Sequence, residues 1–309
     1  MRTDRGPLRS MPGGTQEEGA PVNPVYDRTR EDVSNIVHLE HVNVTQPDQR
    51  LATSFYVAGL GFTRDPFIMV EIDNMWINIG RSQMHLPTNR PQRIRGTIGL
   101  VVPDLAELRR RLERVAPDLA DTQFGFVDQG ARVDVTCPWG NRFRCHAPAP
   151  EFGETELTMA YVEFDVPPGT ADGISRFYAE ILGATSEIVS RDGAAAASVC
   201  AGRDQRIYFR ETSRPIPSYD GHHIQIYIAD FSAPYRRLLE YGLITRETDA
   251  HEWRFQDIQD PRTKRLLFTV EHEVRSLKHP LYGRLLVNRN PAQTNRAYVR
   301  GHDAFRGTY

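Results

Sequence analysis

Two stretches decide the fold: "GTIGLVVPDLAELRRRLERV" (Gly96–Val115) and "GHHIQIYIADFSAPYRRLLEYG" (Gly221–Gly242). Each reads as a short apolar strand, a Pro/Asp-type break and an amphipathic helix with Arg-Arg-Leu at matching positions. The strand opens on Thr97 in the first stretch and on His223 in the second. A repeated unit whose copies differ by a histidine raises the question of what the histidine does.

The repeat extends outward on both sides. "HLEHVNVTQPDQRLATSFYVAGLGFTRDP" from His38 and "TMAYVEFDVPPGTADGISRFYAEILGATSEI" from Thr158 each alternate apolar and polar residues, as a half-buried strand does. Each then breaks at proline and enters a helix bearing Phe-Tyr (Phe55-Tyr56, Phe177-Tyr178) that ends at Leu-Gly (Leu60-Gly61, Leu182-Gly183). A strand pair with Gly-Arg at its turn follows in both halves (Gly80-Arg81, Gly202-Arg203). After the strand–helix unit come two last strands around Cys137–Asn141 in one half and Asp260–Lys264 in the other. The chain thus reads as four strand–helix–strands units.

The organisation expected is an arm at 1–35, a first domain at 36–148, a Pro- and acid-rich linker at 149–157, a second domain at 158–275, and a tail at 276–309 whose aromatics lay it along the body. Length (309 residues) and composition are those of a globular protein with a sizeable core. A net charge of −2 offers no footprint for nucleic acid or an anionic membrane. No stretch approaches the roughly 18 apolar residues of a membrane span, and the N-terminus lacks a signal-peptide pattern, so a cytoplasmic protein is expected. Three cysteines, Cys137, Cys145 and Cys200, form neither a zinc-type nor a redox pair. No phosphate-binding loop, dinucleotide fingerprint or nucleophile elbow occurs.

The stretches "HVNVTQPDQ…SFYVAGLGF", "IGLVVPDLAEL", "CPWGNRF", "HHIQIYIADF" and "DIQDPRTKRLLF" resemble the vicinal oxygen chelate superfamily, which includes glyoxalases, bleomycin-resistance proteins and extradiol dioxygenases. The resemblance spans roughly residues 36–273 and implies an α+β fold. Four βαβββ units would form two tandem glyoxalase-like domains with half-open β-barrels. The family's metal positions fall on the first, fourth, fifth and eighth strands of a two-unit domain. Carried over, these are His41, His85, Thr97 and Arg144 in the first half, and Tyr161, Tyr208, His223 and Leu267 in the second. If the front of one half pairs with the rear of the other, one basin collects His41, His85 and His223. The other collects Thr97, Arg144, Tyr161 and Tyr208.

Three imidazoles with open positions suit a divalent ion: Fe²⁺ first, with Zn²⁺, Mn²⁺, Ni²⁺ or Co²⁺ as alternatives. Glu271, on the same face of the last strand as Leu267 by alternation, stands as a fourth ligand. The resemblance implies a metal-dependent enzyme acting on a small oxygen-bearing molecule, catechol-like or carbonyl, with ring-cleaving dioxygenase-like chemistry. A glyoxalase- or epimerase-type lyase or isomerase is the alternative, with Tyr208 or Tyr161 as a catalytic proton donor if the active cavity lies in the other basin. A metal-free binding protein using Trp76, Trp139 and Trp253 is the reading from another class. The partner expected is a small molecule, and the chain is expected to be a monomer or homodimer.

Overall fold

The computed structural model describes residues 26–65, 68, 73–153, 155–286 and 295–299. The described residues divide into two units, one ending at Asp32 and the other beginning at Val33. The described part of the first is one 3-10 turn, Arg28–Glu31, capped by Asp27 accepting from the Thr29 amide. The rest of the expected arm, residues 1–25, lies outside the described residues.

In the larger body the alternating segments form two eight-stranded sheets. From one edge, the first sheet runs β14 (Ile244–Asp249), β15 (Glu252–Gln259), β16 (Leu266–Ser276), β13 (His223–Ile228), β1 (Ile36–Asn43), β4 (Ser82–Pro87), β3 (Asn74–Ile79), β2 (Thr63–Arg64). The second runs β10 (Ser186–Arg191), β11 (Ala194–Cys200), β12 (Arg206–Glu211), β9 (Thr158–Val166), β5 (Gly96–Val101), β8 (Arg142–His146), β7 (Arg132–Thr136), β6 (Gly125–Asp128). Each sheet therefore joins a unit from one half to a unit from the other, through the antiparallel pairs β1–β13 and β5–β9. The unit that opens the chain and the unit that closes its repeats share one sheet. This is the α+β arrangement of βαβββ units read from the sequence.

The helices form where the patterns place them. Asp48 caps α1 (Gln49–Ala52) by accepting from the Leu51 amide, and that helix widens into a π-helical stretch at Thr53–Gly59. The third unit repeats the device, with α3 (Ala171–Arg176) running into Phe177–Ile181. Gly61 and Gly183 follow at φ of 76° and 67°, a left-handed conformation that glycine takes without a Cβ penalty. Asp104 caps α2 (Leu105–Val115), which buries Leu108, Leu112 and Val115 on one stripe. The fourth helix is α4 (Ser232–Glu240).

These helices tie the sheets together. Phe55 and Tyr56 reach Phe143 on β8, while Phe177 and Tyr178 reach Phe255 on β15 and His272 on β16. One apolar core consequently runs through residues of all four units. Among the described residues no helix is long and apolar enough to cross a membrane.

Candidate metal centre

The register of the first sheet sets the site. His41 lies opposite Gln225 on β13 and Gln83 on β4, and Gln225 lies opposite Glu273 on β16. One row along, Asn43 lies opposite His223 and His85, and His223 opposite Glu271. Residues two apart on a strand share a face, so both rows project into one basin. There His41, His223 and Glu273 each offer a ligand atom, all within 4.8 Å of one another. His41 is fully buried, Glu273 is 3% exposed and His223 is 9% exposed.

The neighbours orient these groups. Glu40 Oε2 lies 2.6 Å from His41 Nδ1, which fixes the ring and leaves Nε2 facing inward. Adjacent residues of a regular strand point to opposite faces, but a register shift between Leu39 and His41 brings Glu40 beside its neighbour. The Nε2 atoms of His41 and His223 are both buried without a hydrogen-bond partner. His223 Nε2 lies 3.4 Å from Glu273 Oε2, and its Nδ1 lies 3.6 Å from Glu271 Oε1.

Two arginines hold the acids. Arg254 donates to Glu252 at 3.1 Å, to Glu271 at 2.8 Å and to Glu273. Arg275 pairs with Glu252 at 3.2 Å and with Glu273 at 2.5 Å. Arg275 and the two histidines hold Glu273 well below the ordinary carboxylate range against the opposing effect of burial. Glu40 is lowered to about 2, burial again opposing and His41 prevailing. Burial, opposed by Glu273, lowers His223 and favours its neutral form. Four carboxylates, of which Glu40, Glu252 and Glu273 are buried and Glu271 partly exposed, meet two guanidinium groups, a formal excess of two negative charges with both imidazoles neutral. An isolated excess of that kind is costly, and a divalent cation offsets it.

The structure brings His41 and His223 together and puts His85 close by. The His85 ring stacks on Trp76 at 3.8 Å and lies 5.8 Å from the His41 ring, but its Nε2 is hydrogen-bonded to Asn74 Oδ1 at 2.7 Å. Glu271 lies in the basin, tied to Arg254. The eighth-strand position is Glu273 instead of Leu267, a correction of six residues. Leu267 is buried near the start of an eleven-residue strand, and the pairing with β13, not the turn at Asp260–Lys264, sets the register. The run Val270-Glu271-His272-Glu273 held the signal, because Glu271 and Glu273 share a face by parity. Also missed were Glu40, hidden by the bulge, and Gln225, Tyr227, Arg254 and Arg275.

Two further histidines bond outside the basin. His222 points away from the basin and bonds Asp220 at 2.6 Å, and His272 accepts from or donates to Tyr178 at 2.5 Å in the core. Of the tryptophans, Trp76 lies in the basin, whereas Trp253 packs with Phe231 and Phe255 in the core, and Trp139 packs against that core.

Tyr161 and Tyr208 lie in the second sheet with Thr97 and Arg144, apart from His41, His85 and His223, and the Tyr161 hydroxyl lies 3.0 Å from His146 Nε2. Register equates Tyr161 with His41, Thr97 with His223 and Arg144 with Glu273. Gly99 replaces Gln225, and the Tyr161 ring packs directly on it, in space a Cβ would need. Arg191 lies over both tyrosine rings, 4.4 Å from one centroid and 3.9 Å from the other. Glu163 takes Arg144 at 3.8 Å, Arg210 at 3.2 Å and Arg191.

No family model matches the chain, and no curated protein matches it. Solved structures do. A candidate dioxygenase from Bacillus subtilis subsp. subtilis str. 168 is similar with a TM-score of 0.56 at 13% identity, covering 85% of this chain and 89% of that one. Glyoxalase I from Zea mays is similar with a TM-score of 0.55 at 15% identity, covering 81% and 95%. At such identities the likeness concerns the fold: the chain has the vicinal oxygen chelate fold.

Proposed function

We propose that the protein is a metal-dependent enzyme acting on a small oxygen-bearing molecule, with dioxygenase-like chemistry. His41 Nε2, His223 Nε2 and Glu273 would hold one divalent ion. What supports this is the pair of orphaned imidazole nitrogens facing a carboxylate in a pocket with two surplus negative charges. Two histidines and one carboxylate with open positions suit Fe²⁺ among the first-row metals. Such an ion supplies a Lewis acid for a substrate oxygen and, as iron, an electron donor for O₂.

The protein's own groups have defined parts. The Glu40 carboxylate would accept a hydrogen bond from His41 Nδ1–H and so keep the Nε2 lone pair inward. Arg254 and Arg275 fix the Glu273 carboxylate, whose remaining lone pairs stay free for an ion. Trp76 and the stacked His85 ring form one wall beside His41.

The test is metal analysis of purified protein, followed by O₂ uptake with a panel of catechols. The expected result is about one iron per chain, lost in His41→Ala, His223→Ala and Glu273→Ala and retained in His85→Ala and Glu271→Ala. Metal-free protein, or metal retained after removal of His223, overturns the reading.

A further inference from the structure

Beside the proposed centre, a cavity of about 590 Å³ opens at one end of the first basin, walled in part by His38, Glu40, Arg81, Gln205, Tyr227 and Tyr282. That volume is in the range of small-molecule sites. Glu40 belongs to both places: it forms part of the cavity wall and holds His41 at 2.6 Å. Tyr227 lies two residues beyond Gln225 on β13, hence on the basin face, and directly across from Arg275. Tyr282, on the segment that follows β16, brings its ring to 4.9 Å from that of Tyr227.

The Tyr227 hydroxyl is buried within reach of the Arg275 guanidinium, and neither it nor Arg275 Nη1 has another partner; their residues are 1% and 8% exposed. The phenol oxygen can accept from the guanidinium, which leaves the phenol its own proton to donate. Burial raises the phenol above its ordinary range, so it keeps that proton. A buried hydroxyl proton without an acceptor is uncommon in folded proteins, and a ligand oxygen satisfies it.

We propose that this cavity receives the substrate and that Tyr227 Oη, backed by Arg275, donates to an anionic oxygen on it, a carboxylate or a phenolate. This rests on the metal reading, because the ion offsets the surrounding acids and leaves the Arg275 charge to favour a negative oxygen at the phenol. The phenol acts as a binding group that turns the substrate toward His41 and His223.

The experiment titrates metal-loaded wild type and Tyr227→Phe with benzoate and with catechol, using benzylamine as a donor-only cationic control. Metal content and thermal melting are measured on the same samples. At least one oxygen probe should bind the wild type and bind Tyr227→Phe about tenfold more weakly, as expected for loss of a hydrogen bond to a charged group. The control should show no such difference. Metal content should be unchanged, and the melting temperature close to that of the wild type, because the phenol proton has no acceptor in the protein to lose.

Equal affinities, a failure of both probes to bind metal-loaded protein, or a clear drop in melting temperature overturns the proposal. Absent metal instead counts against the centre. In metal-free protein, the ratio of benzoate affinities between wild type and Tyr227→Phe still decides the role of the hydroxyl.

Discussion

The two basins are built on the same register and hold opposite chemistry. In the first, His41, Gln225, His223 and Glu273 surround a buried pocket with surplus negative charge. In the second, the matching positions are Tyr161, Gly99, Thr97 and Arg144, and Arg144, Arg191 and Arg210 are paired among Glu163, Asp165 and Asp192. One scaffold thus presents an electronegative cradle on one side and a self-neutralised plug on the other. The fold alone fixes neither; the side chains at a few row positions do.

The largest effect that sharpens this contrast lies in the plug. The Glu163 side chain is 1% exposed and anchors three arginines. Glu163→Gln should cost about 2–3 kcal/mol of stability, since Arg191 loses its acidic partner while Arg144 and Arg210 keep Asp192 and Asp165. Metal content should not change. Chemical denaturation and metal analysis of one sample measure both, and loss of metal on this substitution would break the division between basins.

Next comes the support of the cradle. Glu40→Gln should weaken metal affinity by about 10- to 100-fold, as removal of an outer-shell carboxylate from a ligating histidine does. Competition against a chromogenic chelator reads this. An unchanged affinity would mean that His41 is oriented by packing alone.

A smaller, pH-dependent effect comes from the reverse face of β16. Burial lowers His272 to about 3, so the folded protein does not take up the proton that the unfolded chain binds below about 6.5. Stability should therefore fall as pH drops through that window, by about 1.4 kcal/mol per pH unit from this residue. His272→Gln should reduce the slope by about one proton between pH 6 and 4. An undiminished slope would place the titration elsewhere. The least effect is expected at His85: His85→Phe keeps the stack on Trp76 and should change metal affinity by less than about threefold, because its Nε2 is committed to Asn74.

Much of the fold was legible because period-two and helical patterns repeat four times, and matching landmarks such as Phe55-Tyr56 and Phe177-Tyr178 bring the units into alignment. The pairing of the first unit with the last came from the family resemblance, and with that pairing His41, His85 and His223 make a set. His41 and His223 were readable as strand residues of the same face. Glu273 was obscured because bulges between β15 and β16 break the count from the turn. Glu40 was hidden because a bulge overturns the alternation on which face assignment depends. The Tyr227–Arg275 pair was invisible from the sequence, since its significance lies in what those atoms fail to bond.

The central claim is that one basin holds an ion and its twin does not. Crystals of the iron-loaded protein, measured on both sides of the iron absorption edge, test it most directly. The account predicts one anomalous peak, between the imidazoles of His41 and His223 and the Glu273 carboxylate, and none near Tyr161 and Arg144. A peak held by other residues, or no peak in protein shown to contain iron, would contradict it.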